Sequence, residues 1–548
     1  MHIKRAKEEI RNTIRAYLMK DEFGQYVIPA VRQRPVLLIG PPGIGKTAIM
    51  EQVARECGIG LVSYTITHHT RQSAVGLPFI EHKTWGKREY AVTEYTMSEI
   101  IASVYNRMEQ TGLSEGILFI DEINCVSETL APTMLQFLQC KTFGNQKIPE
   151  GWLIVAAGNP PEYNKSVRDF DVVTLDRVKK IDVAEDYTVW KEYAYEQGIH
   201  NSILTYLEIK RENFYEIETT LDGKRFVTAR GWEDLSQVLY TYEKLGIPVD
   251  EPLIIQYLQH PRIAKDFASY YDLYNKYKYD YKIEEILEGT ISRNALEKLW
   301  QAPFDERLSV LGLVLGRLNE MFTHVMERDS YVSELYEVMI DYREQLEKAQ
   351  GELDRAEKVR RVPGMEQEEH GMSGAEQEER EKQESREKVL LSRGEAIRLL
   401  TKMEQTRSKE LEDKKEAGLI NRMEERCFRQ VLAELEREEH LLLTADCETA
   451  SESFDMIKAG FNRETSALEE ESEQVSQALE CAFDFVEKAF GEDQELVVFI
   501  TELSLSYYAI RFISDNGCPR YYRYNRMLLS GEQQREILQQ IDELKGQK

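Results

Sequence analysis

The stretch Gly40-Pro41-Pro42-Gly43-Ile44-Gly45-Lys46-Thr47 constrains this chain more than any other. It fits the phosphate-binding pattern G-x-x-x-x-G-K-[ST]. An apolar run of strand length, Pro35-Val36-Leu37-Leu38-Ile39, leads into it, and Thr47 to Ala54 follows with apolar residues at helical spacing. A strand, a glycine loop and a helix form the geometry that phosphate binding needs. Glycines let backbone N–H groups approach an anion with no Cβ in the way, and the helix N-terminus adds partial positive charge. The candidate nucleotide-binding set is therefore Gly40, Pro41, Pro42, Gly43, Ile44, Gly45, Lys46, Thr47 and Ala48. Lys46 is expected to reach the β- and γ-phosphates of ATP, and the Thr47 hydroxyl to hold Mg2+.

The second half of such a site lies downstream. Gly116-Ile117-Leu118-Phe119-Ile120 reads as a strand running into Asp121-Glu122. Asp121 can join the Mg2+ shell, and Glu122 is placed to polarise an attacking water as a general base. A further strand, Trp152 to Ala157, ends in Gly158-Asn159-Pro160-Pro161, where a polar Asn at a strand end can orient that water. Gly60 to Thr67 reads as another strand, and Thr174 to Val183 as a helix end leading into a short fifth one. Strands alternating with helices imply an α/β fold with a parallel sheet, its ligand at the carboxyl edge.

In order and spacing these elements resemble an AAA+ ATPase, and most closely its MoxR-type branch. The matching pieces are Gly40 to Thr47, Ile117 to Glu122, Asn159, Leu175-Asp176-Arg177 and Thr228-Ala229-Arg230-Gly231; the branch rests on Arg71 to Pro78 and Ala157 to Tyr163. The likeness covers about residues 30 to 300. It implies a catalytic set of Glu122, Asn159 and Arg177, with Arg177 acting on a neighbour's nucleotide and Arg230 reaching the γ-phosphate from a helical lid. It implies a homo-hexameric ring and a chaperone-like remodelling role on a protein client, often with a partner carrying a von Willebrand factor A domain. Val178 stands where the family more often has Phe, so Arg168, Lys179 and Lys180 compete with Arg177 for the finger role. A nucleotide-gated scaffold with slow turnover is the alternative, and a nucleic-acid motor a third reading.

Composition bounds the rest. The 548 residues suffice for several domains, and 42 % apolar residues for real cores. A net charge of −27 argues against a general nucleic-acid binder, since phosphate neutralisation needs clustered Lys and Arg. Seven scattered cysteines without a C-x-x-C pair read as reduced thiols of a cytoplasmic protein. The N-terminus is too charged for a signal peptide, and no apolar run approaches membrane-spanning length. His68-His69 is a poor metal pair, because adjacent strand residues point to opposite faces.

The expected organisation is an N-terminal helical segment (1–34) without evident chemistry, the α/β core (35–183), a helical lid (184–300), a helical arm (303–362), a disordered acidic linker (363–387) and a helical C-terminal region (388–548). Phe79 to His82 and Glu89 to Thr93 read as an inserted hairpin, which the resemblance puts near the ring pore. The tyrosines from Tyr270 to Tyr281 are expected to pack lid helices. Val332, Leu335, Met339, Tyr342, Leu346, Ala349, Leu353 and Ala356 form a heptad seam, suggesting one arm of a coiled-coil hairpin. A last core is expected from Phe483 to Phe512, Val497 and Tyr507 included. Arg520 to Arg526 mixes aromatic and basic residues and reads as local packing with ion pairs, with binding of a partner or an anion as the alternative.

Overall fold

The computed structural model describes residues 1–68, 71–143, 146–163, 170–220, 223–361 and 390–528. The acidic stretch 363–387, His69 and Arg168 lie outside them. Two compact units divide the chain. The first gathers Met1–Asn319, Glu416–Leu419 and the chain from Gln477; the second gathers Glu320–Lys415 and Ile420–Ser476.

The first unit is built on five strands: β1 (Val36–Ile39), β2 (Gly60–Thr65), β3 (Gly116–Asp121), β4 (Trp152–Gly158) and β5 (Lys179–Asp182). Their order is β2-β3-β4-β1-β5 and every pairing is parallel. Near-continuous burial along β1, β3 and β4 reflects cover on both faces. Alternation assigns the faces. Leu37, Leu118, Ile120, Ile154 and Ala156 pack with Ile100, Ile101, Met134 and Phe137. Val36, Leu38, Ile117, Phe119 and Val155 pack with Ile49, Met50 and Val53 of helix α2 (Lys46–Cys57). Ala6, Ile10 and Ile14 of helix α1 (Ile3–Tyr17) join that second face.

Glycine is required where the strands meet the Trp152 ring. A Cβ on Gly116 would stand 2.7 Å from the Gly60 carbonyl oxygen and 2.6 Å from the indole. An inserted hairpin, Pro78–Trp85 with Arg88–Tyr95, extends each strand three residues or so beyond the expected pieces, with Trp85 and Tyr90 in ring contact at 5.6 Å.

Helices Tyr187–Glu196, Asn201–Ile209, Ala229–Leu245 and Pro261–Tyr281 share a second core around Trp232, Phe267 and Tyr206. Tyr271 is buried there, and Tyr274 and Tyr281 are buried along the same helix, but Tyr279 is 84 % exposed: it stands about 200° around the helix from Tyr281. The chain after Gln477 adds further helices to this unit. Phe483, Phe485, Val486, Phe499, Ile500 and Phe512 are buried as expected, whereas Val497 and Tyr507 point outward, because apolar residues exceed what two short helices can turn inward. Arg520 pairs with Asp484 (2.6 Å) and Glu480 (3.2 Å), and the Tyr524 hydroxyl donates to Glu487 (2.8 Å), so that cluster is packing and ion pairing. No single described helix is long and apolar enough to cross a membrane; only the pair Gln494–Leu505 and Tyr507–Asn516, bent by 89°, reaches such a composition jointly.

In the second unit, Met339, Tyr342 and Leu346 of the seam pack with Leu400 and Met403, with Val431 and Leu435, and with Ile457, and Ala349 and Leu353 flank them. The seam thus meets more than one helix. Residues 393–444 divide into Arg393–Ala417 and Arg422–Thr444, the latter opened by an Asn421/Glu424 capping box.

Gly116→Ala should destabilise the first unit by about 1–3 kcal/mol, the usual cost of overpacking. Thermal unfolding followed by circular dichroism checks this, and an unchanged first transition would show that the strands can part to admit the methyl group.

Candidate functional site

Gly40 follows β1, Asp121 closes β3 and Asn159 follows β4, so all three stand on the carboxyl edge of the sheet. The turn into α2 takes left-handed backbone at Gly43 (φ 74°) and Gly45 (φ 89°), conformations that glycine adopts without Cβ strain. Gly40 is tight for another reason: a Cβ there would lie 2.7 Å from the Val183 carbonyl oxygen.

Lys46 is buried. Its ammonium donates to the Gly40 carbonyl (2.9 Å), the Pro41 carbonyl (2.7 Å) and Asn159 Oδ1 (2.9 Å). Burial holds its pKa down to about 8; Asp121 and Glu122 oppose the shift, and the Arg230 charge adds to it. An anion placed beside this ammonium relieves the cost of its desolvation. Beside it, the Thr47 hydroxyl donates to Asp121 Oδ2 (3.1 Å), which brings two hard oxygen ligands together. The Glu122 N–H donates to Asp121 Oδ1 (2.9 Å). Glu122 itself has φ 57°, a left-handed conformation uncommon for a non-glycine residue and concentrated at functional positions.

Two contributors escaped the sequence. Asn124 is buried and its amide donates to the Asn159 carbonyl (2.8 Å), with Gly158 leaving the space: a Cβ on Gly158 would fall 2.5 Å from Asn124 Oδ1. Nothing in the spacing after Glu122 distinguishes that Asn from a turn residue. The second is an open cleft lined by Gly43, Gly45 and Ala48, by Trp190 and Tyr193, and by Ile3 and Lys7 of α1. The N-terminal segment, which carries no motif, is therefore a wall of the site. The amphipathic pattern of α1 showed that it packs, not what it lines.

Arg230 is exposed at the start of Ala229–Leu245, whose N-cap Thr228 accepts from the Gly231 N–H. Its charge is felt at Lys46. Arg177 stands apart from these groups: exposed, it donates to Gln139 on Ala131–Cys140, and the neighbouring Val172 and Val173 are 81 % and 56 % exposed. Lys179 is engaged by Thr13 (2.7 Å) and Glu9 of α1, and Lys180 by Asp182. Val178 is buried in the sheet core. Among the described residues no group of three or more His, Cys, Asp or Glu is arranged to hold a metal.

A parallel sheet with a glycine loop, a buried lysine and a hydroxyl–carboxylate pair at its carboxyl edge defines a nucleotide-binding domain of the phosphate-loop class. Residues 36–173 match the family model "ATPase family associated with various cellular activities (AAA)". That stretch is an AAA ATPase domain. No curated protein matches the chain. Among solved structures it is similar to a lysine-to-arginine mutant of Thermotoga maritima RuvB, at 16 % identity over 36 % of this chain and 51 % of that one, TM-score 0.23. It is also similar to the FIGL-1 AAA domain in complex with ADP, at 18 % identity over 38 % of this chain and 65 % of that one, TM-score 0.24. The chain thus spans about half of the first and just under two thirds of the second.

The depressed Lys46 pKa has a pH signature. The folded group releases its proton near pH 8 and the unfolded one near 10.5, so between these values the unfolded chain binds more protons and Lys46's contribution to stability rises with pH. Phosphate binding needs the ammonium, so nucleotide affinity should be flat up to about pH 7.5 and fall toward tenfold per unit above about pH 8. Calorimetric titration with ADP across that range checks the slope, which Lys46→Met should abolish together with most of the affinity.

Proposed function

We propose that the chain is a Mg2+-dependent ATPase that works as a homo-oligomeric ring, of six subunits by analogy with the family it resembles, and remodels a protein client in a MoxR-like manner. The observation that carries the nucleotide part is Lys46, buried and held by Gly40, Pro41 and Asn159 at the carboxyl edge of the sheet. Gly40 to Ala48 would cradle the phosphates through backbone N–H groups, with Lys46 at the β- and γ-phosphates. Thr47 and Asp121 would hold Mg2+, which when bound draws charge from the phosphate oxygens. Glu122 would take the proton of the attacking water, and Asn159 would orient that water while steadying Lys46. The cleft between Ile3, Lys7, Trp190 and Tyr193, which adjoins Gly43 and Gly45, would take the nucleoside.

Arg177 would complete a neighbour's site. The support is its exposure, its hydrogen bond to Gln139 and not to the Lys46 cluster, and the engagement of Lys179 and Lys180 elsewhere. The two exposed valines beside it suit a subunit interface. Arg230, on the lid, would reach the γ-phosphate. The client, and any partner with a von Willebrand factor A domain, come from the resemblance alone.

Lys46→Ala should remove tight ATP binding, since Lys46 is the cation held inside the phosphate loop itself; unchanged affinity in a direct titration would end the assignment. Glu122→Gln keeps size and hydrogen bonding but takes no proton, so it should bind ATP and scarcely turn it over. Arg177→Ala should bind ATP yet hydrolyse about 10³–10⁵ times more slowly. Mixing tests the trans arrangement. Each of the last two variants is inactive alone, but a mixed assembly places some intact Glu122 opposite an intact neighbouring Arg177 and should recover activity. Robust hydrolysis by Arg177→Ala alone would show that the finger lies elsewhere.

A further inference from the structure

The lid touches the phosphate loop at the Pro42-Gly43 peptide. The Tyr215 hydroxyl donates to the Pro42 carbonyl oxygen at 2.9 Å. Tyr215 is half-buried against the core that holds Trp190, Phe214 and Trp232, so its ring moves with the lid. Burial raises its pKa, with Tyr163 and Glu185 adding to the shift, and the phenol stays a donor across the physiological range. The second contact is on the same peptide: a Cβ on Gly43 would lie 2.9 Å from Thr228 Oγ1, the side chain that caps the Arg230 helix. Tyr215 and Thr228 flank the lid's own hairpin, Glu216–Thr220 with Gly223–Val227.

Peptide planarity gives this contact a consequence. The Pro42-Gly43 bond is trans, so its C=O and N–H point in opposite directions. Pro before a glycine with φ 74° is the sequence of a type II turn, whose central peptide can flip at small cost to the type I orientation. The flip would reverse the Gly43 N–H. Holding the Pro42 carbonyl toward the lid turns that N–H away from the lid.

We propose that Tyr215 is a positioning residue for phosphate binding: by fixing the Pro42-Gly43 peptide it keeps the Gly43 N–H aimed at the bound phosphates, and it makes that aim depend on lid closure. The inference rests on the nucleotide reading of the site. It assigns to the lid a second route to the phosphates, through the backbone of the loop and separate from Arg230.

Tyr215→Phe keeps the ring and removes only the donor. ADP and ATP should bind about 2- to 12-fold more weakly, the loss of one hydrogen bond's effect on a phosphate donor, while adenosine, which presents no phosphate, should bind as to the parent protein. Calorimetry with ADP and adenosine, beside thermal unfolding of the variant, reads both. Equal affinity for ADP in variant and parent overturns the proposal. So does an equal loss for ADP and adenosine, which would make Tyr215 a packing residue of the lid. Thr228→Ser, which keeps the cap and the loop contact, should leave the ADP-to-adenosine ratio unchanged; a drop matching that of Tyr215→Phe would overturn the assignment to the phenol. Lys46→Ala separates the two levels. If it too leaves ADP affinity intact, the nucleotide reading itself falls; if it abolishes binding while Tyr215→Phe changes nothing, only this inference does.

Discussion

The site depends on one buried ammonium. Taking Lys46 out of water costs several kcal/mol unless other groups replace the lost hydration. Two loop carbonyls and the Asn159 amide oxygen do so in part, and their arrangement needs Gly40 and Asn159 to be neighbours across the sheet. That follows from the strand order: β1 and β4 pair in register, Ile39 opposite Gly158, although over a hundred residues separate them in sequence. The parallel sheet therefore does more than carry the loop. It supplies the third acceptor, and through β3 the carboxylate of Asp121 that meets Thr47. The residual cost appears as the lowered Lys46 pKa, and it is the term that a bound phosphate would offset.

The core and the loop were legible because their signals are local. A strand, a glycine turn and a helix lie within about twenty residues, and each obeys its own periodicity. Asp121-Glu122 and Asn159 follow from the same rule, as polar residues that end apolar runs. What was illegible is long-range. Tyr215, Ile3 and Lys7 reach the site only because of how distant elements pack, and each has an unremarkable neighbourhood in the sequence; Asn124 lies two residues after Glu122, but its bond to the Asn159 carbonyl crosses between strand ends. The C-terminal core was readable in kind but not in detail. Alternating apolar residues named Phe483, Phe499 and Phe512 correctly, but apolar character alone could not tell inward from outward at Val497 and Tyr507. The seam after Val332 showed that a helix would bury one stripe; the number of helices meeting it depends on partners more than fifty residues away.

The lid is itself completed from far along the chain. Helix Tyr187–Glu196 presents Val189, Trp190 and Tyr193 to the cleft beside the phosphate loop. Its other side carries Lys191 and Tyr195, both nearly or fully buried. Lys191 meets Glu208 of the lid (2.5 Å) and also Glu502 on Gln494–Leu505, and the Tyr195 hydroxyl donates to Glu502 as well. Burial and the Glu502 charge together hold the Tyr195 phenol protonated, which keeps it a donor to that carboxylate.

Such a cluster adds little net stability, since desolvation offsets most of the attraction, but it is costly to leave half-made. Without Glu502, Lys191 would keep one carboxylate and Tyr195 would lose its acceptor, while Leu505 of the same helix packs against the lid core. The segment after Gln477 is therefore part of the nucleotide-binding unit in the physical sense, although the chain reaches it only after passing through the second unit. The residues that the AAA match covers, 36–173, do not include the lid, the α1 wall or this closing carboxylate. The cleft takes walls from the first two, and Glu502 reaches it only by way of the helix Tyr187–Glu196 that it braces, so the form of the cleft belongs to the longer chain and not to the matched stretch alone.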